Sequence, residues 1–214
     1  VKSNWLAGML SEDGFLTHKI PLGMDLSRYY PRDVQPGPPR VVAMARPRTP
    51  RRGFGATIAA LARVKAARPD AEVILFGDSA LHRQAIPFEY RNEGVIASQE
   101  RMAQVYSEAD VFLDGSDFQG FGRCGLEAMA CGAACVLTDV GGVNEYARHR
   151  ENAMLVPPNE PTRFAEAVMA LIDDPSQRGA LQADGRKTVQ RFCHRREARE
   201  TLSYFGSLVG WGAR

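Results

Sequence analysis

The sequence has 214 residues, 44% of them hydrophobic, which is enough for one substantial core. Its 27 basic and 25 acidic side chains leave a formal charge of +2, so no global footprint for nucleic acid is present and any anion site must be local. No apolar run approaches the roughly 18 to 20 residues that cross a bilayer, and the N-terminus lacks a signal-peptide pattern. The chain therefore reads as cytoplasmic with no integral membrane segment, leaving a membrane-surface association of the longer protein open.

Val1 stands where a methionine would begin a chain and runs straight into Ser3-Asn4-Trp5-Leu6, which reads as a piece of a longer protein. Cys124, Cys131, Cys135 and Cys193 form no Cys-x2-Cys pair. They read as small side chains of a reducing compartment rather than as a disulfide framework or, with His149 or His194, a zinc site.

In chain order, Ser3 to Leu10 predicts a helix, Lys19 to Leu22 a short strand, and Pro31 to Pro39 a Pro-rich linker. Residues 1–39 thus form an inter-domain segment, and the main domain, 40–192, follows. Val41 to Ala45 predicts a buried strand, Ala56 to Ala67 a helix and Glu72 to Phe76 a second strand stopped by Gly77-Asp78. A weaker strand is expected at Gly94 to Ile96, then a helix capped by Ser98. Strand Val111 to Leu113, a helix from Arg123 to Ala130 stopped at Gly132, and strand Ala134 to Leu137 come next. A short strand at Ala153 to Val156 precedes helices at Pro161–Ile172, Pro175–Gln190 and Arg196–Leu208, the last making residues 193–214 a C-terminal helix. This alternation predicts a Rossmann-like parallel sheet with helices on both faces.

Ligands of such sheets sit beyond the carboxyl ends of the strands. Four arginines, Arg46, Arg48, Arg51 and Arg52, follow the first strand there and are closed by Gly53. Their planar guanidinium forks suit a diphosphate; a solvated basic loop is the plainer alternative. After the strand at Val111, Gly120-Phe121-Gly122 precedes a helix, so free amides and the helix dipole favour an anion, with Arg123 adding charge; a tight turn would have the same composition. Glu127 lies on the side of that helix suited to burial and needs a partner, either sugar hydroxyls or Arg123 four residues earlier. Gly141-Gly142 permits close backbone approach, and Glu145 could hold a ribose, hold a sugar or cap its own helix. No Gly-x-Gly-x-x-Gly follows the first strand, which disfavours a dinucleotide-dependent oxidoreductase.

Taken together, several stretches resemble the C-terminal donor domain of the retaining glycosyltransferases of family 4, the group-1 enzymes with the GT-B fold. They are Ile20 to Asp25, Ala45-Arg46, Arg52-Gly53, Leu75 to Asp78, the run from Gly120 to Gly142, Glu145 and Asn152 to Pro158. The resemblance implies transfer of a sugar from a nucleoside diphosphate sugar to a saccharide or lipid-linked acceptor, with retention and without a metal or other cofactor. An N-terminal acceptor domain would lie outside this chain, leaving the fragment inactive alone.

By that resemblance Arg46 and Arg52 neutralise the diphosphate, Arg52 standing where the family has lysine. Gly120, Phe121, Gly122 and Arg123 cradle it, and Glu127, matching the second glutamate of a Glu-x7-Glu motif, binds ribose. Gly77 and Ile96 border the nucleotide, with base contacts expected from Ile96 to Gln99. Gln119 replaces the first glutamate; its neutral amide can bind hydroxyls but brings no negative charge to a developing oxocarbenium ion, and Asp117 is the nearest stand-in. Leu22, in place of an asparagine, affects the hinge region. The alternative is a non-catalytic nucleotide- or sugar-binding module.

Overall fold

A computed structural model describes residues 1–82 and 85–210. Its sheet has six strands: β1 (Arg40–Met44), β2 (Glu72–Phe76), β3 (Arg91–Asn92), β4 (Val111–Asp114), β5 (Ala134–Thr138) and β6 (Met154–Val156). The spatial order is β3-β2-β1-β4-β5-β6 and every pairing is parallel. The helices are α1 (Asn4–Glu12), α2 (Phe54–Ala67), α3 (Gln99–Ser107), α4 (Arg123–Ala130), α5 (Pro161–Asp173), α6 (Pro175–Val189) and α7 (His194–Leu208). Residues 211–214 of the expected C-terminal helix lie outside the described residues.

Side chains alternate across the pleat. Val41, Ala43, Val73, Leu75, Val111, Leu113 and Val136 face one core with Ile58, Leu61 and Val64 of α2 and Phe164, Val168 and Leu171 of α5. Val42, Met44, Ile74, Phe76, Phe112, Cys135 and Leu137 face the other with Val105 and Tyr106 of α3 and Leu126 and Met129 of α4. Both faces are thus covered by helices, the condition that lets a parallel sheet read as near-continuous apolar runs.

Two expected strands differ. Lys19 to Leu22 forms none: Pro21 has no amide to donate, and this segment is fixed instead by the Ile20 amide on the Val1 carbonyl (3.0 Å) and a single bridge of Met24 to Cys193. The third strand sits at Arg91–Asn92 rather than at Gly94 to Ile96. Gly94 is at φ 64, a turn conformation, and Val95 is 64% exposed, so the apolar residues there are not the paired ones. Ser98 caps α3 as expected, its hydroxyl accepting from the Arg101 amide at 3.2 Å.

The chain leaves β1 for β2 on one side and returns to β4 on the other. β1 and β4 are therefore neighbours whose following helices, α2 and α4, pack on opposite faces of the sheet, the arrangement that opens a crevice at their carboxyl ends.

Candidate functional site

Two loops meet at that crevice with their backbones touching. Gly53 has φ 57, and a Cβ there would fall 1.8 Å from the Gly115 carbonyl oxygen, so no other residue fits without moving a loop. The Asp117 amide donates to the Arg51 carbonyl at 2.9 Å and ties the same loops a second time. A third loop joins through the Gly142 amide, which donates to the Gln119 carbonyl at 2.8 Å, and a Cβ on Gly142 would meet the Gly120 oxygen at 2.2 Å. Residues expected to act together, Arg52, Gln119, Gly120 and Gly122, are in this way brought to one place.

Four arginines do not contribute equally. Arg48 is committed to Asp78, at 3.0 and 3.3 Å; the Ala80 amide and then Arg48 hold the Asp78 carboxyl below the usual range. Arg46 is exposed and has no ion-pair partner among the described residues, its stem lying over Gly77, where a Cβ would meet Cγ at 3.0 Å. Arg52 is partly buried and its Nε has no hydrogen-bond partner among the described residues.

Nε of Arg52 is one of a group. The buried side-chain atoms without a partner among the described residues are this Nε, Thr57 Oγ1, Tyr106 Oη, Asp114 Oδ2, Asp117 Oδ1 and both ends of the Gln119 amide. All but the tyrosine lie at the end of β4, on the loops after β1 and β4, or on the first turn of α2. A buried polar group left unpaired costs on the order of 1 to 3 kcal/mol, so such a concentration calls for polar partners from outside the chain, ordered water or a ligand. Burial also raises the Asp117 carboxyl above its ordinary range.

The N-terminus of α4 points into the same region. Its cap is Gly122, at φ 82, which offers no side chain to the first amides. Among the described residues the amides of Gly120, Phe121 and Gly122 have no acceptor either. Phe121 turns its ring inward, 8% exposed and 5.6 Å from Tyr146, so only its backbone borders the crevice. The Tyr146 hydroxyl donates to the Gly122 carbonyl at 2.6 Å and fixes the turn from below.

Glu127 is 6% exposed and accepts from Arg123 Nε at 2.6 Å. Burial raises its carboxyl above the usual range, with Arg123 opposing. The local pair anticipated as the plainer reading of Glu127 thus exists, and it engages the Arg123 guanidinium. Beside it, burial pushes the Cys124 thiol up to about 12. Gly77, at φ 114, follows β2 beneath the Arg46 stem, and Ile96 is partly buried against the core.

Glu145 binds the N-terminal segment instead of facing the crevice: Lys19 Nζ lies 3.0 Å from it and the Asn4 amide also donates to it. The start of α1 also reaches the site loops directly, which composition and spacing did not show. Ser3 donates to the Gly120 carbonyl at 2.6 Å, and Trp5 meets Phe118 edge to face at 4.8 Å. These pairs are more than a hundred residues apart in sequence, where periodicity is silent. Thr57 and Asp114 were also missed; a hydroxyl on a buried helix turn and a carboxylate ending an apolar strand were the available signals.

Fold and crevice together define a Rossmann-like α/β domain of the GT-B kind, with its polar site at the point where strand order reverses. A family model for Glycosyl transferases group 1 matches residues 38–174, and the chain belongs to that family. It is 29% identical over 199 residues to a GDP-mannose-dependent monoacylated alpha-(1-6)-phosphatidylinositol monomannoside mannosyltransferase of Corynebacterium glutamicum, covering 80% of this chain and 51% of that protein. A D-inositol 3-phosphate glycosyltransferase of Thermobispora bispora is 33% identical over 96 residues, covering 45% of this chain and 22% of that protein. This chain thus spans about half, or less, of these relatives.

Among solved structures, sucrose-phosphate synthase of Thermosynechococcus elongatus superposes with a TM-score of 0.85 at 24% identity, covering 98% of this chain and 58% of that one. Anabaena Alr3699/HepE in complex with UDP-glucose gives a TM-score of 0.77 at 23% identity, covering 90% of this chain and 58% of that one. Among the described residues no helix is long and apolar enough to cross a membrane.

Proposed function

We propose that this chain is the donor-binding half of a sugar transferase, holding a nucleoside diphosphate sugar at the crevice between β1 and β4. The carrying observation is the concentration of unpartnered buried polar atoms there, beside two cations and a helix N-terminus. Arg46, Arg52 and the amides of Gly120 to Arg123 would neutralise the diphosphate, an electrostatic task that grows as the bond to the sugar breaks. Arg123 contributes through its amide, because its guanidinium is engaged by Glu127. Glu127 would take the ribose hydroxyls, Gln119 the sugar, and Gly77 and Ile96 would border the nucleoside.

Transfer would proceed with retention of anomeric configuration, to a saccharide or lipid-linked acceptor, with no metal ion or further cofactor required. The names of the Corynebacterium relative and of the Anabaena complex, one with GDP-mannose and one with UDP-glucose, support a nucleotide-sugar partner and leave the base open. Calorimetry with UDP, GDP, dTDP and ADP selects among them. One should bind, and Arg52→Ala should weaken it by roughly 10- to 100-fold, the equivalent of one charge-assisted contact. Equal affinity for wild type and Glu127→Ala refutes the ribose assignment, and no binding by any of the four overturns the donor reading.

Gln119 favours one competing reading, a nucleotide- or sugar-binding module without catalysis. Its neutral amide stands where a charge would assist. Sugar transfer by the longer protein with Gln119 unchanged excludes that module; transfer gained only on Gln119→Glu supports it.

A further inference from the structure

Trp5 and Phe118 form an aromatic pair at the rim of the crevice that the donor reading leaves unused. Their centroids are 4.8 Å apart with planes at 73°. Phe118 is 41% exposed, on a loop whose neighbouring residues are largely buried. Both rings are held in place. Trp5 lies over the third loop, its Cε3 3.4 Å from the position of a Cβ on Gly141. Ser3, two residues before it, is fully buried and bonded to the Gly120 carbonyl at 2.6 Å. Phe118 sits between Asp117, whose amide is tied to Arg51, and Gln119, whose carbonyl receives the Gly142 amide.

An edge-to-face contact occupies one face of one ring, and Phe118 remains 41% exposed beside the partly exposed Trp5. On either side of Phe118 in the chain are buried polar atoms with no partner among the described residues: Asp117 Oδ1 and both ends of the Gln119 amide, in a side chain only 3% exposed. The combination is amphipathic. A pyranose ring matches it, because its C–H face is polarised positively toward an aromatic face while its hydroxyls point outward to a carboxylate or an amide. An acyl chain would leave the polar atoms unpaired, and a phosphate would meet Asp117 with like charge.

We infer that Trp5 and Phe118 form a platform for a sugar ring of the acceptor, with Asp117 receiving its hydroxyl hydrogens. This rests on the donor reading in one respect: the platform adjoins Gln119 and would place the acceptor next to the transferred sugar.

The test uses the 214-residue chain and methyl α-glucopyranoside, methyl α-mannopyranoside and methyl α-galactopyranoside, each titrated with and without the nucleoside diphosphate that binds. Trp5 and Trp211 are the two tryptophans of the sequence, so Trp211→Phe leaves Trp5 fluorescence as the reporter. At least one glycoside should shift that emission to shorter wavelength in a saturable way. Phe118→Ala should weaken glycoside binding about tenfold, and Phe118→Tyr should restore it, while nucleotide affinity stays within about twofold.

Absence of saturable glycoside binding overturns the platform, as does a Phe118→Ala variant that binds glycosides normally. Parallel loss of nucleotide affinity in that variant also overturns it, since the pair would then only brace the loops. Failure of nucleotide binding by wild type sinks the donor reading instead, and the nucleotide-free titration still decides the platform.

Discussion

Gly53 shows how far a single residue can set the site. Its left-handed conformation alone disfavours a side chain, and the oxygen of Gly115 stands where a Cβ would go. Gly53→Ala should therefore cost about 3 kcal/mol or more, strain and collision adding together. Gly179, in the middle of α6, has nothing within 4 Å of its Cβ position. Gly179→Ala should stabilise by about 0.5 to 1 kcal/mol through helix propensity and a less mobile unfolded chain. Urea denaturation of both variants checks the contrast; a Gly53→Ala protein as stable as wild type would mean the loops do not meet as described. Sequence reading named Gly53 as the closure of an arginine loop. It could not see that the residue opposing it would be Gly115, on the loop after another strand.

At the scale of elements, α1 meets the site loops through polar contacts at its start and through the Trp5 ring, and none of its helical residues is buried. Ser3 serves twice, its oxygen accepting from the Leu6 amide at 3.2 Å while its hydroxyl hydrogen goes to Gly120. Ser3→Ala removes both and should lower stability by about 1 kcal/mol, the usual worth of an N-cap. Hydrogen exchange should then speed up in α1 and at Gly142 while β1, β4 and β5 keep their protection. Uniform acceleration across the sheet would contradict this local picture.

Strands buried on both faces were legible because burial writes an apolar run into the sequence, as Val41 to Met44 and Val111 to Leu113 show. β3 was not: it pairs only two residues, Arg91 and Asn92, both exposed, on backbone hydrogen bonds that any side chains allow. The same contrast holds in the site. Arg52, Gln119 and Glu127 announce themselves as polar residues among glycines or apolar neighbours, whereas Ser3 and Trp5 matter only through contacts made across the folded chain.

For the whole molecule, the relatives' greater length bears on what this chain does alone. It covers 51% of the Corynebacterium protein and 58% of the two solved chains. Transfer requires an acceptor held against the donor in reacting geometry, an arrangement worth several kcal/mol of the barrier. The 214 residues should therefore bind a nucleoside diphosphate yet turn over its sugar conjugate no faster than background hydrolysis. Robust transfer by this chain, measured with a radiolabelled donor sugar, would show that the acceptor site is already complete.

The unpartnered polar atoms around β1 and β4 carry a last implication. Thr57 and Gln119 are buried as deeply as the valines of the core, yet each withholds a bond from the fold. Under the proposed donor reading, a bound nucleotide sugar would supply those missing bonds, so that tight recognition and a thermally robust empty protein would be opposed goals in this crevice.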